Sequence, residues 1–494
     1  MIFFKKLNNS KKDKVFIDSG FIDSQFLWVL PIVDGYCQKI GISKIVLQRK
    51  LPFKLKQNIK IKEFLSNYKI EYLEKNNSFF LKLSVLIFSA ITFPYCLSKM
   101  NRKNLLGEKN WFKSQVYHAI WDTSLSLGKD GDLKPKLKNM FKSFFLINRN
   151  FYLAYLLKKK HLIHSCFLSH SVYQGRIFLA ELRKTSEVFC QSAFNIYKQP
   201  KNYDECWSIL RNTHNLKSIL KSISDKDCET YWQNRLTGKG TIYESNVINK
   251  FDNQNLDKDI NILMLHVFRD SSYNFIDNKR IFSDYIDWVY TTLKILKNTK
   301  EKWFIRPHPF SSKWGENSFK FIDAINKSLK INNKNIVYLN ENISNNLIFQ
   351  KAKKLVTYAG TSFLEYACYG KKSIIISDVV PGIYQEQIAL KPRNIKEYEQ
   401  LLIENVDKKK FNLDSESLKL SKKILYAREN ITNLAKDTGG YFVYRNDKEN
   451  TKDHEYECVQ LKVENNNKYF NELGSKLAIN NFSHSISSKY INKI

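Results

Sequence analysis

The sequence predicts an α/β protein of two domains, each a parallel sheet flanked by helices, facing each other across a cleft. Three observations predict it. The chain is 494 residues long, too long for one hydrophobic core and suited to two domains of roughly 200 residues each. Its composition, 43 % hydrophobic and 14 % aromatic, is that of a protein that buries a large core. Between 259 and 378, short apolar runs alternate with stretches of helical spacing, which is the mark of a doubly wound parallel sheet.

The elements follow in order. "DINILMLHVF" (259–268) is a β-rich run, and "RIFSDYIDWVYTTLKILKN" then sets Phe282, Tyr285, Ile286, Val289, Leu293 and Leu296 on one helical face. After it come strand "KWFIR" (302–306), helix 317–330, strand "NIVYL" (335–339) and helix 344–353. Strand "KLVTY" (354–358), helix 361–370 and strand "SIIIS" (373–377) complete the series. The N-terminal half is less regular. "KVFIDSG" (14–20), "ISKIVLQ" (42–48) and "KIEYLE" (69–74) read as its first strands, and "HLIHSCFLSH" (161–170) and "SEVFCQS" (186–192) flank a helix at 176–184. Residues 1–240 thus form a Rossmann-like domain with a helical insertion near 100–160, joined by the polar stretch 237–259 to a second Rossmann-like domain at 255–395. Helices are expected at 396–445, and 446–494 reads as a polar, Asn/Lys-rich, loosely ordered tail.

Lys plus Arg total 80 against 48 Asp plus Glu, a net charge of +32, which favours anionic partners such as nucleotides or lipid headgroups. The lysines are dispersed and the aromatics fall inside strands and helices, so no nucleic-acid surface is expected. The eight cysteines include no C-x-x-C pair and read as reduced thiols. "MIFFKKLNNSKKDK" lacks an apolar signal region, which predicts a cytoplasmic protein. "FFLKLSVLIFSAITFPYCL" (79–97) has an uninterrupted apolar core of about 14 residues, short of the ~20 needed to span a bilayer. It reads as a buried or interfacial helix, with shallow insertion at the inner face of the cytoplasmic membrane as the alternative.

Ligands of open α/β sheets bind beyond the carboxyl ends of the strands, and three unusual clusters fall there. "HVFRDSS" (266–272) brings His266 and Asp270 to the end of the first strand of the second domain. "RPHP" (306–309) offers Arg306 as an anion fork and His308 on a loop stiffened by two prolines. "TYAGTSFLEYACYGKK" (357–372) runs a strand into Gly360, opens a helix with Thr361 and Ser362, and places Glu365 one turn on, where it could accept sugar hydroxyls. Taken singly, each has a structural explanation: an N-cap, a turn residue, a core histidine. The N-terminal half offers "IDSGFIDS" (17–24), with Asp18, Ser19 and Gly20 after the first strand, and "SHSVYQGR" (169–176), with His170, Tyr173 and Arg176. From these, Ser19, Gly20, His170, Tyr173 and Arg176 are the acceptor-side candidates. His161, His164, Cys166 and His170 make no convergent metal set, because side chains alternate along a strand.

An HP motif followed some 50 residues on by "GTSFLEYACYGKK" resembles bacterial glycosyltransferases of the GT-B architecture. More narrowly it is similar to the capsule-polysaccharide group that includes Kdo transferases, and to sialyltransferases. The resemblance implies that His308 and the Thr361/Ser362 turn hold the phosphate of a nucleotide-sugar donor, a CMP-sugar such as CMP-Kdo favoured. No D-x-D stands at a strand end of the C-terminal half, so the leaving-group charge is expected to be balanced without a metal or other cofactor. It also implies a surface polysaccharide or lipid-linked glycan as acceptor. The catalytic group is not fixed by these motifs; Asp270 or His266 is assigned from position. A nucleotide-sugar epimerase or a CDP-polyol phosphotransferase would use the same edge.

Overall fold

The computed structural model describes residues 12–21, 23–73, 79–100, 111–169, 175–192, 195–199, 213–237, 258–270, 281–309, 311–312, 315–340, 343–377, 380, 382–438, 452–479 and 485–491. The polar stretch expected as a linker lies almost wholly outside them, as do His170 and Tyr173.

Two six-stranded sheets organise the chain. The first comprises β1 (Lys14–Ile17), β2 (Lys44–Leu47), β3 (Lys69–Tyr72), β4 (Ile163–Leu168), β5 (Glu187–Ser192) and β6 (Asn195–Lys198), in the order β3-β2-β1-β4-β5-β6. All its pairings are parallel except β5–β6, an antiparallel hairpin that the sequence pattern does not announce. The second comprises β7 (Ile260–Met264), β8 (Trp303–Arg306), β9 (Ile336–Tyr338), β10 (Ala352–Thr357), β11 (Ser373–Ile375) and β12 (Ala389–Leu390), in the order β12-β11-β10-β7-β8-β9, parallel throughout. Counted from its own first strand, the first sheet has the order 3-2-1-4-5-6. The second reads 6-5-4-1-2-3, the same order seen from its other edge. The winding therefore reverses between β1 and β4 and again between β7 and β10, the positions at which doubly wound sheets take their ligands.

The register explains the continuous apolar runs. Leu263 of β7 lies between Ile305 of β8 and Val356 of β10 and packs on one face of the sheet with them. Ile262, Met264, Phe304 and Leu355 fill the other face. Both faces are covered, as parallel sheets require, and each such buried side chain contributes ~1.5–3 kcal/mol.

The first sheet carries α1 (Asp23–Ile40), and the insertion consists of α2 (Phe79–Lys99), α3 (Trp111–Ser126) and α4 (Leu137–Leu156). Then come α5 (Arg176–Leu182) and α6 (Asp225–Leu236). Around the second sheet run α7 (Tyr285–Leu296), α8 (Ser318–Leu329), α9 (Asn345–Lys351) and α10 (Ser362–Ala367), followed by α11 (Ser415–Tyr426), α12 (Lys452–Asn465) and α13 (Asn467–Leu477). Polar caps start several of them: Asp284 accepts from Asp287 N, Asn317 from Phe319 N and Ser344 from Leu347 N.

The two halves interlock. Helix α6 is tied to α11 by Lys422–Glu229 (2.6 Å) and Lys423–Asp225 (2.8 Å). The α3–α4 turn reaches the second domain, where Asp130 accepts from Asn317 N (3.0 Å) and lies 3.4 Å from the Arg269 guanidinium. The tail differs from expectation. Within 446–494, α12 and α13 are helices packed on α1, with Tyr456, Val459, Val463, Phe470, Leu473 and Leu477 buried. Two glycines permit the contact: a Cβ on Gly35 would meet Asn471 O at 1.9 Å, and one on Gly474 would meet Ile32 O at 1.9 Å. Among the described residues no helix is long and apolar enough to cross a membrane.

Candidate active site

The reversal between β7 and β10 brings two of the predicted clusters together, and the β8 loop adds the third. Beyond β7, His266 N donates to Tyr285 Oη at 2.7 Å and Tyr285 Oη donates back to His266 O at 3.3 Å, which fixes the backbone where the strand ends. The imidazole is held from three sides. The Tyr285 ring meets it edge-on at 6.0 Å, the His308 ring stacks on it at 6.2 Å and 27°, and the β10 turn closes the third. In that turn Ala359 N donates to His266 Nε2 at 3.3 Å, so the ring proton resides on Nδ1. Gly360 has φ +125°, and a Cβ there would sit 2.6 Å from His266 Cε1. Only glycine admits both the backbone conformation and the approach.

Burial pushes the His266 pKa down to about 3, with His308 adding to the shift, and burial followed by the charge of Arg306 pushes His308 down to about 4. Both rings are neutral at pH 7. Pro307 and Pro309 fix the backbone on either side of His308, and Ser311 N donates to His308 O (3.0 Å) to close the loop.

Thr361 and Ser362 are half-buried at the start of α10, and the Thr361 hydroxyl makes no capping bond to the helix. The first N–H groups of a helix have no intrahelical acceptor. The arrangement therefore sets neutral imidazole donors, hydroxyls and backbone donors along one sheet edge, a set suited to phosphate oxygens.

Two predicted ligands are engaged elsewhere. Arg306 is not an exposed fork: it is buried, still within β8, and its Nη2 donates to Ile343 O at 2.8 Å. The strand pleat decides this, because Arg306 shares the inward face of Phe304. Its influence on the site is the charge felt by His308. Glu365, assigned to sugar hydroxyls, instead accepts from Arg235 Nη2 at 2.6 Å and from Asn345 Nδ2 at 3.3 Å. It joins α10 to α6 and α9. Asp270 is half-buried at the end of its described loop, next to Arg269, whose backbone N–H donates to Glu316 at 2.7 Å.

The opposite reversal, between β1 and β4, holds a second polar cluster. Its centre is Asp18, which the sequence marks only as part of a turn. Oδ1 accepts from Gly20 N and Ser169 N, both at 3.1 Å, and Oδ2 accepts from Ser169 Oγ at 3.0 Å. Burial raises its pKa to about 6 despite these bonds. Ser19 N donates to Gln48 Oε1 (3.0 Å), and Arg49 Nη2 donates to Ser19 O (3.1 Å). A Cβ on Gly20 would lie 2.1 Å from Ser169 Oγ, so a side chain there would displace that hydroxyl from Asp18. Arg176 begins α5 and is buried. A separate groove between α1, the 58–67 segment and the C-terminal helices is lined by Leu30, Asn58, Phe64 and Val463, where the tail packs on α1.

Two Rossmann-like sheets, each with a polar cluster at its own strand-order reversal, define a two-domain α/β protein. No protein-family profile matches the chain and no curated protein matches it. Solved structures do. The UDP-GlcNAc 2-epimerase of Methanocaldococcus jannaschii in complex with UDP-GlcNAc and UDP is 10 % identical over 84 % of this chain and 98 % of that one, with a TM-score of 0.28. A glycosyltransferase from Rickettsia africae is 10 % identical over 94 % and 99 %, with a TM-score of 0.21. Anabaena HepE in complex with UDP-glucose is 10 % identical over 84 % and 95 %, with a TM-score of 0.27.

Proposed function

We propose that this chain is a glycosyltransferase that moves a sugar from a nucleotide donor onto a surface polysaccharide or lipid-linked glycan, with a CMP-sugar such as CMP-Kdo the favoured donor. The carrying observation is the stacked His266–His308 pair, 6.2 Å apart at the β7/β10 reversal and pressed against the Gly360 turn. Ligands of doubly wound sheets sit at this position, and the groups gathered there are donors.

In the proposed reaction the donor phosphate lies along this edge. His308 and His266 Nδ1–H donate to its oxygens, and the Thr361 and Ser362 hydroxyls take the others. As the sugar–oxygen bond breaks, negative charge grows on the departing phosphate, and pre-aimed donors stabilise that charge more than they stabilise the ground state. Asp270, on the chain that leaves β7 (Ile260–Met264), is assigned as base towards the acceptor hydroxyl. With Nε2 taken up by Ala359 N–H, His266 is a donor in this scheme and not the base. Balance of the phosphate charge is assigned to these groups and not to a divalent ion. The acceptor side is assigned to the β1/β4 cluster, Ser19, Gly20 and Arg176, together with His170 and Tyr173, which lie outside the described residues. The excess of lysine suits an anionic membrane surface where such acceptors are presented.

An epimerase acting on a nucleotide sugar is the second reading. Asp18, a buried carboxyl with its pKa raised to about 6 at the β1/β4 reversal, is the observation that favours it. A thermal-shift screen with CMP, CDP, UDP and GDP tests the site, CMP being expected to raise the unfolding midpoint most. A flat response to all four would overturn the phosphate-edge assignment. Conversion of a nucleotide sugar without any acceptor would identify the epimerase.

A further inference from the structure

Helix α2 bears an apolar face that no described residue covers. From 83 to 98 it contains no charged side chain, yet Leu86 is 42 % exposed, Ile87 51 %, Phe88 57 %, Ile91 72 % and Tyr95 68 %. Ile87, Ile91 and Tyr95 form one row at i, i+4, i+8, with Phe88 beside it. The opposite face, Val85, Ser89, Phe93 and Cys96, is buried. There Phe93 packs on Phe141 (5.3 Å) and Phe144 (5.7 Å), and Ser89 Oγ accepts from Asn148 Nδ2 at 2.9 Å. The helix is thus fixed along its length to α4 and presents its other side outward as a ridge.

The charges at its ends narrow the choice of occupant. Phe93 meets Phe141 while Ser89 meets Asn148, so α2 and α4 run antiparallel. Lys82 therefore lies towards the end of α4, near Tyr155 and Lys159. Lys99 lies towards its start, near exposed Leu137 and Lys138. Lys99 Nζ sits 5.4 Å above the Tyr95 ring and Lys159 Nζ 5.6 Å above the Tyr155 ring. No Asp or Glu occurs anywhere in α2. Tyrosines and lysines bracketing an apolar ridge match a bilayer interface, where rings take the headgroup level and lysines reach lipid phosphates. The uncharged stretch is ~24 Å long at 1.5 Å per residue, short of the ~30 Å hydrocarbon thickness. With one face packed into the protein, it can only lie flat.

We propose that α2 is a membrane-docking helix whose 86–95 face enters the headgroup–acyl boundary of an anionic bilayer, with Lys82 and Lys99 against the lipid phosphates. Contiguous apolar patches on a protein surface mark interaction sites, and an apolar face combined with cations gives preference for anionic lipid. The proposal is independent of the donor site and requires no nucleotide.

Flotation of the purified full chain tests it, with vesicles of phosphatidylcholine alone and of equal parts phosphatidylcholine and phosphatidylglycerol. Wild type is expected to float with the mixed vesicles and ~10-fold less with the neutral ones, with high salt narrowing the difference. Ile87→Asp/Ile91→Asp is expected to cut flotation ~10-fold or more, with an unchanged unfolding midpoint because both side chains already face water. Lys82→Glu/Lys99→Glu, which leaves the apolar face intact, is expected to lose the preference for anionic vesicles. Wild type that fails to float with mixed vesicles, or an aspartate pair that floats like wild type, overturns the proposal. So does a wild-type dimer in sedimentation velocity that the aspartate pair converts to monomer without any vesicle binding, because the face then belongs to a second copy.

Discussion

Replacing Gly360 by alanine perturbs the site through a single methyl group, and its cost can be worked from the geometry. The residue has φ +125°, and the new Cβ would lie 2.6 Å from His266 Cε1 and 3.3 Å from its Nε2. The backbone term is about 1–3 kcal/mol. Relief of the overlap requires the imidazole to leave its bond with Ala359 N or the turn to move, which adds about 1–3 kcal/mol. Gly370 supplies an internal control. It has φ +79° and nothing within 4 Å of its would-be Cβ, so Gly370→Ala carries only the left-handed backbone term of about 1–2 kcal/mol. Urea unfolding of the two variants, followed by calorimetry with CMP, reads the difference. Gly360→Ala is expected to be the more destabilised and to bind nucleotide at least about tenfold more weakly, since the Thr361/Ser362 turn shifts with it. Equal stability of the two variants with unchanged nucleotide affinity would refute the contact between the β10 turn and His266.

Other outcomes follow from the same geometry. Asp18 titrates at about 6 in the folded chain against 3.8 for an unperturbed aspartate, so the folded state holds more protons in that window and stability falls as pH rises through it. Asp18→Asn removes this loss while Nδ2 can donate to Ser169 Oγ, and its stability relative to wild type is expected to improve between pH 4 and 7, by on the order of 3 kcal/mol in urea unfolding across that range. The two histidines act oppositely: their folded pKa values of about 3 and about 4 lie below the ordinary 6.5, so the unfolded chain binds more protons and stability falls as pH drops from about 6.5 towards 4. A bound phosphate favours the charged form of the His308 ring, so calorimetry in buffers of different ionisation heat is expected to show proton uptake on nucleotide binding near pH 5.5; binding without uptake would argue that His308 does not face the phosphate. Gly474→Ala forces a Cβ to 1.9 Å from Ile32 O, and limited proteolysis is expected to release α12 and α13 faster than in wild type.

The fold of the second domain was legible because its strands are short, mainly apolar and separated by helices of clean period. The backbone constraints around His308 and Gly360 were legible for a related reason: prolines and a glycine act locally, and the sequence shows them directly. Arg306 and Glu365 were misread because their partners are distant. The pleat turns Arg306 inward to Ile343, and Glu365 meets Arg235 from 130 positions away. Asp18 likewise takes its meaning from Ser169, 151 positions on. In the tail, the positions 456, 459, 463, 470, 473 and 477 do follow a helical period, but the Asn and Lys residues around them lower the average hydropathy enough to suggest disorder. The glycine pair that lets α13 touch α1 joins residues from opposite ends of the chain, and neither end alone announces it.

The central claim is that the imidazole pair beyond β7 and β8 holds a nucleotide phosphate. Titration calorimetry of CMP into wild type and His308→Ala tests it most directly. Loss of a hydrogen bond to a charged phosphate costs about 1.5–3 kcal/mol, so the variant is expected to bind about 10- to 100-fold more weakly with its fold intact. Equal affinity in the two proteins would contradict the claim and detach the phosphate from this sheet edge.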